Sequence, residues 1–337
     1  MKGIVFPGQR SLELAEFPDP SPGPGEVVIR MMASGMCGSD LHQYRSESPP
    51  QCIAGHEPAG IVQEVGAGVN PRLARVGDRV TVHHYGGCTV CDQCRSGWYQ
   101  LCREGTVRYG ADAHGSHAPY MTVPAVTLVR LPESMSYETG AALGCGTGTA
   151  WGALRRLGDL AGSDLLVSGQ GPVGLSATMI ASTLGARVIA VDVQDGRLQM
   201  ARDLGAAEVI NPREVPVEAA VRDVTGGIGV SHVLETSGVP HAATDVLACL
   251  ATWGRACFVG LGGRPFEVDV TALLRTQATI MTSWTLSISD LIRCVDFADR
   301  HDLPVGRLFT DRWQLDQADA AYASFDQQRS GKGVFLF

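Results

Sequence analysis

No stretch of this 337-residue chain approaches the ~20 consecutive apolar residues that span a bilayer. The opening MKGIVFPGQRSLEL has one lysine and a short apolar run that stops at Pro7, so a secretory signal is not expected and the cytoplasm is the expected location. Lysine is scarce: apart from Lys2 and Lys332 the basic residues are arginines, and they form no run. With a net charge of −8, this argues against a nucleic-acid backbone as the main partner, which needs clustered positive charge. Internal repeats and low-complexity segments are lacking too. A hydrophobic fraction of 45% and a charged fraction of 18% are a globular balance, and the length favours two domains. The expected partner is a small molecule rather than a membrane or nucleic acid. The ten cysteines, in a reducing compartment, read as metal ligands, reactive thiols or core residues rather than a disulfide framework.

The chain changes character part-way. Up to about residue 130 it is β-rich: EVVIRMMAS, AGIVQEVGAGV, GDRVTVHHY and HAPYMTVPAVTLVRLP are short apolar or alternating runs. The turn-rich PDPSPGPGE precludes a helix or a central strand. SYETGAALGCGTGTAWGALRRLG has helical stretches. From Asp164, apolar strands (DLLVSG, RVIAVD, AEVIN, VSHVLETSG, GRACFVGLG) alternate with amphipathic helices until near residue 285. That alternation predicts an α/β fold with a doubly wound parallel sheet covered on both faces. ISDLIRCVDFADRH reads as a further helix and KGVFLF as a closing strand.

SGQGPVG contains Gly169, Gly171 and Gly174 in a G-x-G-x-x-G pattern, with Pro172 and Val173 between the last two. Glycine is abundant, 41 residues, so the pattern alone is weak. Its context is stronger. It follows a predicted strand and opens a predicted helix, with Pro172 in the first turn. Gly169 would permit the tight turn, Gly171 the approach of a pyrophosphate, and Gly174 close packing of helix on strand, with the helix N-terminus facing the phosphates. The next strand ends in Asp192, 18 residues after Gly174. A carboxylate there binds ribose hydroxyls and repels a 2′-phosphate, favouring NAD over NADP, and Asp195 adds to that repulsion. Arg197 would cover the adenine ribose or a phosphate.

CTVCDQCRSGWYQLC sets Cys88, Cys91, Cys94 and Cys102 at spacings of two, two and seven residues. Four thiolates so placed suit a closed, tetrahedral structural zinc. A redox Cys-x-x-Cys pair and an iron–sulfur cluster share parts of the pattern, but the redox pair leaves two cysteines unexplained. GMCGSDLH, AGHEPAG and LGCGTGTA carry Cys37, Ser39, Asp40, His42, His56, Glu57 and Cys145. Spacing alone cannot join these pieces, and a lone Cys or His is usually a core or hydrogen-bonded residue. Cys52, Cys249, Cys257 and Cys294 read as core.

Taken in order, CGSDLH, GHEPAGIVQEVGAGV, VGDRV, the four-cysteine lobe, GCGTGTAW and SGQGPVGLSA…VIAVD resemble the zinc-containing medium-chain dehydrogenases, the alcohol and polyol dehydrogenase superfamily. The resemblance covers essentially the whole chain. It implies a GroES-like β-barrel catalytic domain from residues 1–140 and 287–337, and an inserted Rossmann domain over 141–286, with the active site in the cleft near the strand C-termini. It implies two zinc ions (Zn²⁺) per chain. One is structural. The other is catalytic, held by Cys37, His56 and Cys145 with an open fourth position. Asp40 would orient His56, and Glu57 would stand behind the metal. Ser39 would accept the alcohol proton, and a relay through the nicotinamide ribose to His42 would pass it to solvent. Thr149 joins the implied NAD contacts.

The implied activity is zinc- and NAD-dependent, reversible oxidation of an alcohol, with a secondary alcohol favoured. A polyol (sorbitol-type) or amino-alcohol substrate is the alternative within that chemistry. Cys145 favours the alcohol dehydrogenases proper, because sorbitol-type enzymes tend to use a glutamate there. A non-catalytic, zinc-stapled nucleotide-binding protein is the alternative of another class. There are departures from the family pattern. Gly38 stands where a basic residue often touches the pyrophosphate, and the closing strand lacks a supporting arginine although Lys332 is nearby. His84 replaces an aromatic pocket wall, suggesting a polar pocket side; Trp284 and Tyr109 are candidate walls. A homo-oligomer is expected, a tetramer over a dimer.

Overall fold

A computed structural model describes residues 1–262, 265–328 and 331–337. It forms two compact units, Met1–Gly148 with Ser287–Phe337, and Thr149–Leu286.

The first unit begins with a hairpin, β1 (Lys2–Gly8) against β2 (Ser11–Glu16), turning at Gln9 and Arg10, both at positive φ. The Pro/Gly-rich link then runs without regular structure into β3 (Glu26–Gly35). β3 pairs antiparallel with β4 (Glu57–Val65) and β8 (Tyr120–Pro124); β4 pairs with β5 (Arg79–Val82), and β5 with β9 (Leu128–Arg130). Val27, Ile29, Met31, Val62, Val80 and Met121 point from alternate positions into one core. The short helix α1 (Asp40–Arg45) follows β3. The ladder of β6 (Tyr85–Gly86) and β7 (Val107–Arg108) flanks a lobe holding α2 (Asp92–Arg95). Helix α3 (Tyr137–Gly144) is capped by Ser136, whose Oγ accepts the Thr139 N–H, and packs on β3, β4 and β5. That packing carries the first unit to Gly148, beyond the expected boundary at 140.

The second unit contains α4 (Gly146–Leu157) from Thr149 onward, then strands β10 (Asp164–Ser168), β11 (Arg187–Val191), β12 (Glu208–Ile210), β13 (Val230–Glu235), β14 (Leu250–Phe258) and β15 (Thr279–Thr282). Between them run α5 (Pro172–Thr183), α6 (Asp195–Asp203), α7 (Val217–Val224), α8 (Pro240–Ala248) and α9 (Val270–Thr276). The six strands are parallel, in the order β12-β11-β10-β13-β14-β15. The order reverses between β10 and β13, the point where such sheets take their ligands. β10 and β11 are continuously buried, as strands covered on both faces must be. β15, mostly exposed at the sheet edge, has no apolar run to announce it.

After Leu286 the chain returns to the first unit through α10 (Ile288–Arg300), β16 (Phe309–Trp313), α11 (Ala318–Phe325) and β17 (Lys332–Leu336). β17 pairs antiparallel with β3, Val334 opposite Gly35. This closes a seven-stranded sheet and lays Lys332 beside Met36. No helix among the described residues is long and apolar enough to cross a membrane.

Candidate metal and nucleotide sites

The three scattered pieces meet at one point of the first unit. Cys37 follows β3, His56 directly precedes β4, and Cys145 breaks the chain between α3 and α4 with φ −141° and ψ −80°. Cys37 Sγ lies 3.8 Å from Cys145 Sγ, which lies 3.5 Å from His56 Nε2. A tetrahedral zinc, with Zn–S of ~2.3 Å and Zn–N of ~2.0–2.1 Å, has S···S edges of about 3.8 Å and S···N edges of about 3.5 Å. Two of the three edges among these atoms therefore match a zinc tetrahedron, and all three atoms lie within 4.8 Å of one another.

The electrostatics fit as well. A hydrogen bond from Cys145 pulls the Cys37 thiol well below its usual range, against the cost of burial, while Cys145 is pushed up by that same bond and by burial. Beside them, Asp40 and Cys37 raise the His56 imidazole well above its usual range, against the cost of burial. Glu57, fully buried at the start of β4, belongs to the same group of potential ligands, and its Oε1 has no hydrogen-bond partner. An orphaned carboxylate oxygen beside two thiols and an imidazole suits a cation. Burial pushes the Glu57 carboxyl up to about 8, opposed by the paired Lys332.

Asp40 Oδ1 accepts a 2.9 Å hydrogen bond from His56 Nδ1, leaving Nε2 toward the sulfurs, while Oδ2 accepts the Cys37 N–H at 2.9 Å. Ser39 Oγ donates to Cys37 Sγ at 3.2 Å and lies 3.4 Å from His56 Nε2. His42 is exposed on α1, one turn along.

The lobe is a second cluster. The Cys88, Cys91, Cys94 and Cys102 sulfurs lie within 4.8 Å of one another. The Cys88 and Cys91 N–H groups donate to Cys102 Sγ and Cys88 Sγ, both at 3.3 Å. Backbone bonds at Arg103 and Cys94 pull the Cys91 thiol down to about 6, whereas burial pushes Cys94 up to about 12. Four thiols in an N–H···S cage leave no position open for a substrate.

In the second unit the three glycines do separate jobs. Gly169 follows β10 at φ +83°. A Cβ on Gly174 would lie 1.8 Å from the Gly169 carbonyl oxygen, so only glycine lets α5 pack there. At Gly171 the nearest atom to a Cβ would be Arg197 Nη1, 4.0 Å away, so the cradle is open. No side chain caps α5, whose first residue is Pro172, followed by half-buried Val173. Its N-terminal N–H groups are available to a phosphate. Asp192, just past β11, accepts the Gln170 N–H at 2.6 Å and the Gln194 N–H at 2.9 Å, so its orientation is fixed.

Residues 172–300 match the family described as zinc-binding dehydrogenase, and residues 23–133 the alcohol dehydrogenase GroES-like domain. Across its full length the chain is 36% identical to an uncharacterized zinc-type alcohol dehydrogenase-like protein, YphC, of Escherichia coli (strain K12), covering 99% of that protein. It is 38% identical to an L-threonine 3-dehydrogenase of Pyrococcus furiosus, over 96% of this chain and 94% of that one. The structure of the alcohol dehydrogenase TADH from Thermus sp. ATN1 is similar with a TM-score of 0.90 at 29% identity, over 100% of this chain and 99% of that one. The chain belongs to the zinc-dependent medium-chain dehydrogenase/reductase superfamily.

In this dehydrogenase the first unit is the GroES-like domain and the parallel sheet the Rossmann sheet. The remaining expected site residues separate. His84 is buried, its ring centroid 5.0 Å from that of His56, and Nδ1 donates to the Gly144 carbonyl at 2.8 Å. Burial pushes His84 well below its usual range, so the ring is neutral and Nε2 is an acceptor. Tyr109 is buried and packs in the barrel core with Val80 and Met121. Thr149 and Trp284 lie in the Rossmann unit, half-buried in α4 and 45% exposed after β15, respectively. Cys249, Cys257 and Cys294 are core; Cys52 is only half-buried, its thiol donating to the Ala111 carbonyl.

Lys332, near the place of the missing arginine, is 1% exposed; its ammonium pairs with Glu57 and donates to the Met36 carbonyl at 3.1 Å, so it is no free charge for a phosphate. Gly38 is exposed, with nothing within 4 Å of where a Cβ would stand. Sequence reasoning passed over Gln170, a variable position of the glycine motif. Its buried amide donates to the Val167 carbonyl and accepts from Thr178 Oγ1, pinning the turn.

Proposed function

We propose that this dehydrogenase uses zinc and NAD to interconvert a secondary alcohol and its ketone. The observation that carries the reading is the gathering of the Cys37, His56 and Cys145 ligand atoms within 4.8 Å, with both edges at Cys145 Sγ matching a zinc tetrahedron. When bound, zinc supplies Lewis acidity at its open fourth position, and the nicotinamide supplies a hydride acceptor. Ser39 Oγ, 3.4 Å from His56 Nε2, stands where the alcohol proton leaves, and exposed His42 exchanges it with water. Asp192 offers its carboxylate to a ribose diol and opposes a 2′-phosphate, which favours NAD.

A second reading, an amino-alcohol substrate, is favoured by two observations. The threonine dehydrogenase relatives are one. The other is His84, whose ring lies 5.0 Å from that of His56 and, with Nδ1 donating to Gly144, keeps Nε2 as its acceptor, a partner suited to an N–H or O–H of the substrate. The polyol alternative shares that requirement. We further propose two zincs per chain, a cytoplasmic location in which both thiol sets stay reduced, and a homo-oligomer joined through the outer edge of β15. Around that edge Val270, Leu274 and Ile280 are 64%, 63% and 40% exposed.

An NADH-absorbance screen over primary, secondary, cyclic and polyhydroxy alcohols and amino alcohols, with the matching ketones in reverse, tests the activity. Turnover confined to substrates lacking a donor beside the carbinol would remove the role given to His84. Cys37→Ser should abolish turnover while leaving NAD binding intact. Retained turnover would take the metal out of the mechanism, and no turnover by the wild type on any substrate would favour a non-catalytic nucleotide-binding protein.

A further inference from the structure

Asp40 is itself held by something. Its Oδ2 lies 3.4 Å from the Tyr322 hydroxyl on α11. That hydroxyl is 2.8 Å from His117 Nε2, His117 Nδ1 is 2.7 Å from Ser34 Oγ, and Ser34 Oγ is 2.7 Å from Ser116 Oγ. Ser34, Ser116, His117 and Tyr322 are fully buried and Asp40 is 2% exposed. With no access to solvent, each polar hydrogen must be satisfied within the row.

The row has one consistent direction. Burial drives His117 down to about 4, so its ring is neutral and carries a single N–H. Asp40 already accepts the His56 and Cys37 N–H groups, so it is an acceptor toward Tyr322 as well. Tyr322 then donates to Asp40 and accepts from His117 Nε2–H. His117 Nδ1 accepts from Ser34, which accepts from Ser116. The reverse order spends the Tyr322 proton on His117 and sets an oxygen lone pair against the carboxylate.

His117 reaches His56 by a second route. Gly55, the residue before His56, has φ +85°, and a Cβ on it would lie 2.4 Å from His117 Nδ1. The His117 N–H donates to the Ala54 carbonyl at 2.9 Å, and the Ser116 N–H to the Gly55 carbonyl at 3.0 Å. The turn that delivers the ligand is laid directly on the His117 ring.

We propose that Tyr322 and His117 are positioning residues for the metal site: the directed row from Ser116 through Tyr322 aims Asp40 at His56 and holds the His56 tautomer whose Nε2 is the ligand atom. The inference rests on the reading of Cys37, His56 and Cys145 as zinc ligands. Outer partners of metal-bound histidines are worth roughly 10–100-fold in metal affinity.

Tyr322→Phe isolates the hydroxyl, because the ring keeps its neighbours Phe6 and Tyr44, with centroids 4.9 and 5.3 Å away. The test follows zinc release from the full-length chain to a chromogenic chelator, with the four-cysteine zinc as internal reference, and the visible spectrum of the cobalt(II)-loaded protein. Tyr322→Phe should release the Cys37-site zinc about tenfold faster, leave the lobe zinc at its wild-type rate, and shift the cobalt spectrum. His117→Phe should do the same, and His117→Gln, which keeps a donor toward Tyr322, should recover most of the loss. Unchanged release, or equal acceleration at both sites, would overturn the positioning role. A wild type that holds no more zinc than Cys37→Ser would instead overturn the reading of the site.

Discussion

At the scale of single residues, the proposed preference for NAD rests on Asp192. Two backbone N–H groups orient its carboxylate before any ligand arrives, so little reorganisation is needed to meet a ribose diol. Asp192→Gly should narrow the ratio of kcat/KM for NAD over NADP by tenfold or more, equivalent to about 1.4 kcal/mol. An unchanged ratio, or a wild type that uses both cofactors equally, would remove Asp192 from the choice. Asp192 and Cys88 to Cys102 were legible because short chain segments carry them. Lys332 and Tyr322 were not. Lys332 meets Glu57, and Tyr322 meets His117 and Asp40, across hundreds of residues, so no local pattern announces them.

Among the elements, the turn into α5 separates two effects that one glycine pattern conflates. A side chain at Gly174 collides with the Gly169 carbonyl, so Gly174→Val should destabilise the Rossmann unit by about 3 kcal/mol or more, read as a lower Tm and lost NAD binding. Gly171→Ala meets no protein atom closer than 4.0 Å. It should melt as the wild type does while binding NAD more weakly, because the added methyl occupies phosphate space; wild-type NAD binding by Gly171→Ala would deny the cradle. The strand–helix alternation of this unit was readable because its strands are buried on both faces. The elements passed over fail that test. β2 alternates exposed and half-buried residues, β15 is an exposed edge, and α11 is built largely of alanine. The strand read as GRACFVGLG is displaced: β14 runs from Leu250 to Phe258, four residues earlier at each end.

Over the whole molecule, the two thiol clusters predict a metal content that neither gives alone. The purified chain should hold two zincs, and Cys91→Ser and Cys37→Ser should each lower the count by one; a wild-type value near one would delete one of the two sites. Subunit assembly is open to a similar count. The outer edge of β15 carries unpaired backbone groups among exposed apolar side chains, and a twofold copy can satisfy both. Light scattering should give a multiple of the 35.7 kDa chain, and Ile280→Lys should lower it. A monomeric wild type would refute the pairing.

The burial of Lys332 also governs how the protein meets amine-reactive reagents. Its ammonium lies inside the first unit, and the Met1 amine is tied to the exposed Asp19 and to the Phe17 carbonyl. Exposed Lys2 is the remaining primary amine. Under native conditions an N-hydroxysuccinimide ester should therefore label only the start of β1, at Lys2 and the Met1 amine, as read by intact mass, and the buried lysine should react only once the chain is unfolded. Ready labelling of Lys332 in the folded protein would show that its pair with Glu57 opens to solvent.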